Sequence, residues 1–294
     1  MDIQLKEDKI LNIITSIILV IITLIAFYPL YFVFIASFSD PVSVSLGETW
    51  LFPKGINLEG YKNILSEQKI WTGYANSLVY TVIGTILNVV VTMATAFPLT
   101  IKDLPGKKYI MIYFMITMFF GGGLIPTYFL MKNLGLLDNR LVMIIPGLIS
   151  VWNVTIARTN IQSTIPDELI EAARMDGCSF IGCFFRMILP LSKAIMAVLV
   201  LYYGVGHWNA YFSAMIYLSD TAKYPLQLVL REILIQTELT LELIQDNEMA
   251  RKSMENVELM KYGIIVVASV PVLILYPAVQ KYFVKGVMVG SLKG

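Results

Sequence analysis

Apolar residues gather in six windows, residues 10–38, 70–101, 109–131, 141–157, 194–219 and 262–280, and no Asp, Glu, Lys or Arg interrupts any of them. A membrane-crossing helix needs about 20 mostly apolar residues at about 1.5 Å each. The pattern therefore predicts an all-α integral membrane protein with six transmembrane helices. The fourth window is short for a span, so its helix is expected to borrow turns from its flanks. The first follows Lys6 and Lys9, as a secretory signal would, but it runs on through Phe27, Tyr28, Pro29, Leu30, Tyr31 and Phe32. That is too long for a cleaved signal and reads as a retained first helix.

Between the windows lie a tail (1–9), a segment at 39–69, loops at 158–193 and 220–261 within a core of residues 70–280, and a second tail (281–294). With six spans both tails share one side. Twelve of the 22 basic residues fall on the side that holds the tails and ten on the other. Short loops carry the rule most strongly: Lys102, Lys107 and Lys108 crowd one of them, and Lys281, Lys285 and Lys293 stand in the last tail without an acid. Both termini are thus expected in the cytoplasm, 158–193 inside, and 39–69 and 220–261 outside. Within the outer loop, residues 228–248 are long enough for a helix lying on that face.

Composition agrees, with 57% hydrophobic and 15% charged residues and a mean hydropathy of +0.71. The lack of charge within the spans also bears on energy supply. Proton-coupled carriers keep ionisable relays in the membrane, and here only His207 is available, which favours a driving force from another subunit. A membrane-embedded enzyme would need acids, bases or metal ligands at that depth; a single histidine with no carboxylate in any span argues against it, so no catalytic or metal-binding residue is expected. No Walker A pattern G-x-x-x-x-G-K-[ST] occurs. Cys178 and Cys183 fit no usual zinc spacing; on the reducing side they read as small apolar packing residues.

Three features inside the spans carry polarity or freedom. Ser77, Thr81, Thr85, Asn88, Thr92 and Thr95 recur at three- and four-residue steps, a stripe down one helix face that either bonds neighbouring helices or lines a path. Gly121, Gly122 and Gly123 either admit a neighbouring helix or let their own bend. His207, Trp208, Asn209 and Tyr211 fall near mid-span, where polar groups face protein or a wet cavity. With Asn88 and Tyr203 they are the candidate residues of a solute pathway, and bonding between helices is the alternative for them.

The 158–193 loop predicts two short helices. Thr164, Ile165, Pro166 and Asp167 supply a hydroxyl cap, a first-turn proline and a returning carboxylate, starting a helix that runs to about Met175. Leu169, Ala172, Ala173 and Met175 would give it a low, smooth face. Gly177 supplies a left-handed stop. Ser179 then caps a helix over 180–188, whose Phe180, Phe184 and Phe185 are expected to lean toward the membrane, with Pro190 near the start of the fifth span.

Glu171, Ala172, Ala173, Asp176 and Gly177, followed at fixed distance by Leu189 and Pro190, resemble the coupling loop of ABC importer permeases of the MetI-like superfamily. Cys178, Met187 and Ala194 depart from that pattern, where alanine, isoleucine and a second proline are usual. The tail 285–294, with Gly286, Gly290, Lys293 and Gly294, resembles the glycine-punctuated end of the shorter maltose-type permease. Residues 125–128 with 134–138, and 208–212, are similar to segments of carbohydrate permeases.

The resemblance covers nearly the whole chain. It implies the permease fold with a cytoplasmic coupling helix between spans four and five, in a prokaryotic plasma membrane, for carbohydrate and in particular oligosaccharide uptake by alternating access. The implied partners are a second related permease forming a heterodimer, two ATPase subunits that bind ATP and Mg and receive the tail and the coupling helix, and an extracellular solute-binding protein. No cofactor in this chain and no nucleic acid are implied. A permease for amino acids or peptides would share the coupling loop but not the Trp208 and Asn209 segment or the tail.

Overall fold

The computed structural model describes residues 2–243, 260–274 and 277. All regular structure among them is helical. Two helices are long and apolar enough to cross a bilayer, Asp8–Ala36 and Gln68–Thr100. Three further candidates are bent pairs: Lys107–Phe119 with Leu124–Asn133 at 113°, Arg140–Gly147 with Val151–Thr164 at 50°, and Phe180–Leu191 with Lys193–Trp208 at 82°. Met260–Ile274 is a shorter apolar helix in the sixth window.

The expectation of one continuous helix through 109–131 is therefore corrected: the window holds two helices bent by 113°. Gly123 takes φ +82°, and a Cβ at Gly121 or Gly122 would meet nothing within 4 Å. These glycines break the chain direction, Gly123 taking a φ that an L side chain rarely adopts, and none of the described residues packs against Gly121 or Gly122. The fifth window is also broken. Its helix ends at Trp208, and Phe212–Tyr217 follows as a separate helix. Mean hydropathy does not register such bends, since apolar residues continue through them.

The chain divides into two compact units. One comprises Met1–Gln68 and Glu232–Ser269. Its first helix is apolar on every side, and its most apolar stretch is not buried by the described protein, as expected where lipid is the solvent; of its described side chains only Ile35 and Ala36, at its end, are buried. Beyond it, Ser37 and Ser39 are buried, and the following loop is stitched by Asp40 N–H to the Lys54 carbonyl (2.8 Å) and Asn57 N–H to the Phe38 carbonyl (2.9 Å). Asp40 caps Pro41–Ser45 by accepting from Ser43 N–H. Tyr61 donates to Ser37 Oγ at 2.8 Å and stacks on Phe38. Ile64 is fully buried, and its Cδ1 lies 2.8 Å from where a Cβ on Gly263 would stand, so glycine is required for that close approach.

The other unit comprises Lys69–Arg231 and Val270–Gly294. Its main core gathers Met93, Phe97, Val154, Ile161, Phe184, Ile188 and Leu199 with seven other buried residues. A second core joins Tyr80, Met131, Val142, Tyr217 and Leu228 among others. The helix Gln68–Ala96 supplies both, and a 3₁₀ turn, Pro98–Thr100, extends it.

Candidate functional site

The elbow over 165–192 is built by local signals. Ser150 caps Val151–Thr164 by accepting from Asn153 N–H. Thr164 is thus the last residue of that helix and not the cap of the next, which corrects the sequence expectation. The residue before a proline is disfavoured in helical geometry, and Ile165 turns to φ −111°, ψ 111°. The coupling-type helix then runs Asp167–Met175, with Pro166 at its cap position and no side-chain cap bond.

Its end follows the glycine expectation. Gly177 takes φ +83°; its N–H donates to the Arg174 carbonyl at 3.0 Å, and Cys178 N–H donates to the Ala173 carbonyl at 2.9 Å. These are the paired bonds of a Schellman stop. Ser179 Oγ accepts from Gly182 N–H at 3.1 Å and starts the next helix. A π turn at Phe184–Ile188 precedes Leu189–Leu191. That wider turn eases the clash that Pro190 would make with the carbonyl four residues back in a regular helix.

The short helix is two-sided. Ile170, Ala173 and Cys178 pack against the main core, so Ala173 belongs to the seated side and not to the outward face expected for it. Facing out are Glu171, Ala172, Asp176 and Gly177, with Leu169 at 44% exposure and Met175 at 88%. Below the elbow, the Phe180 and Phe184 rings stack on Phe97 with centroids at 4.7 and 6.1 Å. Phe97 is 1% exposed. Two of the three phenylalanines expected to lean toward the membrane instead stack on the end of the long helix Gln68–Thr100; Phe184 is buried there, while Phe180 and Phe185 keep exposed surface.

A ring of polar contacts holds the loop beside it. Lys102 Nζ meets Asp167 at 2.7 Å, and this hydrogen-bonded carboxylate raises the Lys102 pKa, with Glu168 and Glu171 adding smaller attractions. Arg158 Nε donates to the Leu99 carbonyl (2.9 Å) and Lys107 Nζ to the Ile101 carbonyl (2.9 Å). These cations satisfy carbonyls left open where the helix ends. Burial and the nearby Arg158 lower the Lys107 pKa. Both cysteines are free thiols, and burial pushes that of Cys183 up, away from the reactive thiolate.

The candidate pathway residues separate. Asn88 donates to the Gly147 carbonyl and, through Oδ1, meets His207 Nε2 at 2.7 Å. Since the Asn88 amide nitrogen is committed to a carbonyl, its oxygen is an acceptor and His207 Nε2 carries the proton. The His207 ring lies against Gly84, where a Cβ would stand 2.5 Å from Nε2. Tyr203 shares its hydroxyl with Thr92 Oγ1 (2.7 Å) and accepts from Ser150 N–H (3.3 Å). Ser77 Oγ accepts from Leu226 N–H at 2.8 Å. Much of the polar stripe thus joins helix to helix, while the buried hydroxyls of Thr81 and Thr85 have no partner among the described residues. Trp208 is 3% exposed beside Tyr74; Asn209 and Tyr211 are exposed. Gly286, Gly290, Lys293 and Gly294 lie outside the described residues.

A polar clasp that sequence reading missed closes the other core. Asp138 sits at φ +52°, and its Oδ1 accepts from Ser219 N–H (3.1 Å) and Asp220 N–H (3.0 Å) while Oδ2 meets Lys223 Nζ at 2.8 Å. These bonds hold the Asp138 carboxyl at about 2, with Lys223 raised in turn. Tyr80 donates to the Lys223 carbonyl, and Asn76 to those of Ala222 and Tyr224. Asp138 follows a glycine turn in the sequence, but its partners lie about eighty residues on, and no local signal joins them.

An all-helical apolar chain with broken spans and a two-sided elbow defines a permease of binding-protein-dependent transport. The chain belongs to the family described as the inner membrane component of binding-protein-dependent transport systems, whose model matches residues 6–289. It is 36% identical over 270 residues to Protein LplC of Bacillus subtilis (strain 168), covering 92% of this chain and 90% of that one. To the polygalacturonan/rhamnogalacturonan transport system permease protein YtcP of the same organism it is 38% identical over 277 residues, covering 94% and 96%. A solved chain from a bacterial ABC transporter that imports the acidic polysaccharide alginate matches with a TM-score of 0.83 at 33% identity, covering 94% of this chain and 98% of that one.

Proposed function

We propose that this chain is one transmembrane subunit of an ATP-driven importer for carbohydrates of oligosaccharide size, and that ATPase subunits drive it by gripping the outward side of Asp167–Met175. The carrying observation is the two-sidedness of that helix. Ile170 and Ala173 are seated in the core while Glu171, Ala172 and Met175 are open, so a push on the rim is transmitted to Phe97 and the long helices without loss in a soft joint. The similarity to a polygalacturonan/rhamnogalacturonan permease and to an alginate importer supports carbohydrate cargo over amino acids or peptides.

Six spans fit the two long helices, the bent pairs Lys107–Phe119 with Leu124–Asn133 and Arg140–Gly147 with Val151–Thr164, the helix Lys193–Trp208 beyond the elbow, and Met260–Ile274, with both termini and the elbow in the cytoplasm by the lysine distribution. The working assembly is then a second related permease, two ATPases binding ATP and Mg, and an extracellular binding protein. ATP-driven closure of the ATPases moves the elbows and switches access to a path through the permease pair. Leu189 and Pro190 place the elbow on the fifth helix, and the tail residues Gly286 to Gly294 contact the ATPases. The test is uptake of a glycan panel by proteoliposomes holding the assembled complex, with and without this subunit. Glycan uptake that requires both ATP and this chain supports the reading; uptake of amino acids or peptides in place of glycans overturns the cargo.

A further inference from the structure

Four basic side chains among the described residues are half-buried: Lys107, Arg158, Lys223 and Arg231. The first three donate to oxygen, Lys107 and Arg158 to backbone carbonyls and Lys223 to Asp138. Arg231 differs. Its guanidinium carbon stands 5.2 Å from the centroid of the Tyr211 ring, and its Nη1 donates to Met215 Sδ at 2.6 Å. A thioether is a weak acceptor, and a guanidinium has five N–H donors. The aromatic face holds the group by cation–π attraction, and its remaining donors have no oxygen partner among the described residues.

A planar, permanently charged fork held over an aromatic ring is suited to one kind of ligand. It matches a carboxylate in two parallel N–H to O bonds. Tyr211 is 41% exposed and offers apolar ring surface beside the charge. It lies three residues after the buried Trp208 and two after the exposed Asn209, so an amide stands close in sequence to the same turn. Charge, ring face and amide are the three functions needed to hold a sugar that bears a carboxylate: bidentate bonds for the acid, stacking for the apolar ring face, and hydrogen bonds for hydroxyls.

We propose that Arg231, positioned by Tyr211 and Met215, is a specificity residue for acidic oligosaccharides, binding the carboxylate of a uronate unit. The proposal rests on the carbohydrate reading and narrows it to an anionic class. The other source of an acid at this place is a phospholipid headgroup, and the experiment separates the two.

The assembled transporter with its binding protein is reconstituted in nanodiscs of phosphatidylcholine alone, and glycan-stimulated ATP hydrolysis is measured with trigalacturonate and with its neutral methyl ester. The parent is expected to respond to the acid at lower concentration than to the ester. In Arg231→Gln the half-maximal concentration for the acid should rise at least tenfold more than that for the ester, and Arg231→Lys should recover part of the loss. Equal shifts for acid and ester, or no shift, overturn the role of Arg231 while leaving the carbohydrate reading standing. No stimulation by either glycan, in a complex that hydrolyses ATP, overturns both. If phosphatidylglycerol restores a response that pure phosphatidylcholine lacks, and Arg231→Gln removes only that lipid dependence, the headgroup is the ligand and the proposal fails.

Discussion

The elbow and the Asp138 clasp fasten the ends of helices in the same compact unit by opposite means. The elbow is seated by apolar surface, with Phe180 and Phe184 on Phe97 and Ile170 and Ala173 on the core, and its polar contacts lie at the edge. At the clasp, directed bonds from Asp138, Lys223, Asn76 and Tyr80 tie two loops together at the edge of the second core. Apolar seating is non-directional and indifferent to pH. Hydrogen-bonded charges fix a geometry and depend on protonation. A joint that must pass force while changing angle suits the first kind of attachment, and a loop that must keep one conformation suits the second.

The sharpest way to break the comparison is Phe97→Ala. Loss of a fully buried aromatic costs about 3 to 5 kcal/mol. Thermal unfolding of the detergent-solubilised protein should fall markedly, and protease cleavage in the 165–192 elbow should appear before cleavage at the clasp. Cleavage at both together would show that the two attachments are not separate.

Next in size is Gly84→Ala, whose Cβ would stand 2.5 Å from His207 Nε2. Overpacking of this kind costs about 1 to 3 kcal/mol, and shortening the ring in Gly84→Ala with His207→Ala should restore part of it. Gly177→Val forces a β-branched residue to φ +83°, at about 1 to 2 kcal/mol. The complex should still assemble, but ATP hydrolysis should no longer yield uptake. Normal uptake by that variant would remove the elbow from the coupling path.

The clasp should show the smallest effect and the only one tied to acid. The Asp138 pKa is depressed to about 2, so its stabilising contribution is complete above the ordinary carboxylate range near 4 and is lost as pH falls through about 2. Lys223 is raised, so its contribution is present below the ordinary lysine value and is lost only as pH rises beyond it. Asp138→Asn tolerates the left-handed backbone while removing the charge. A melting series from pH 6 to pH 2.5 should fall less steeply in that variant than in the parent. Parallel slopes would count against the clasp.

What could be read from the sequence divides along the same line. The elbow was legible because its signals are local: Gly177 stops one helix, Ser179 caps the next, and Glu171 to Pro190 carry a family pattern. Its seat was not legible, since Phe97 lies about eighty residues before Phe180 and nothing nearby marks it. Lys102 stood out only as an orientation charge, although Asp167 had no other explanation once Thr164 proved to be helical. The breaks at Gly121–123 and Asn209–Tyr211 escaped because a charge-free window stays charge-free around a corner. Arg231 was invisible for the reason that makes it informative, as its neighbours Tyr211 and Met215 belong to another helix or turn.

The central claim is that the outward side of Asp167–Met175 is where the motor subunits hold this protein. Met175, at 88% exposure, is the place to test it, by installing a photocrosslinking amino acid there in the fully assembled complex. Illumination is predicted to join this chain to an ATPase subunit, with the yield changing between nucleotide-free and ATP-bound states. Crosslinks to lipid alone, or none to an ATPase in any nucleotide state, would contradict it.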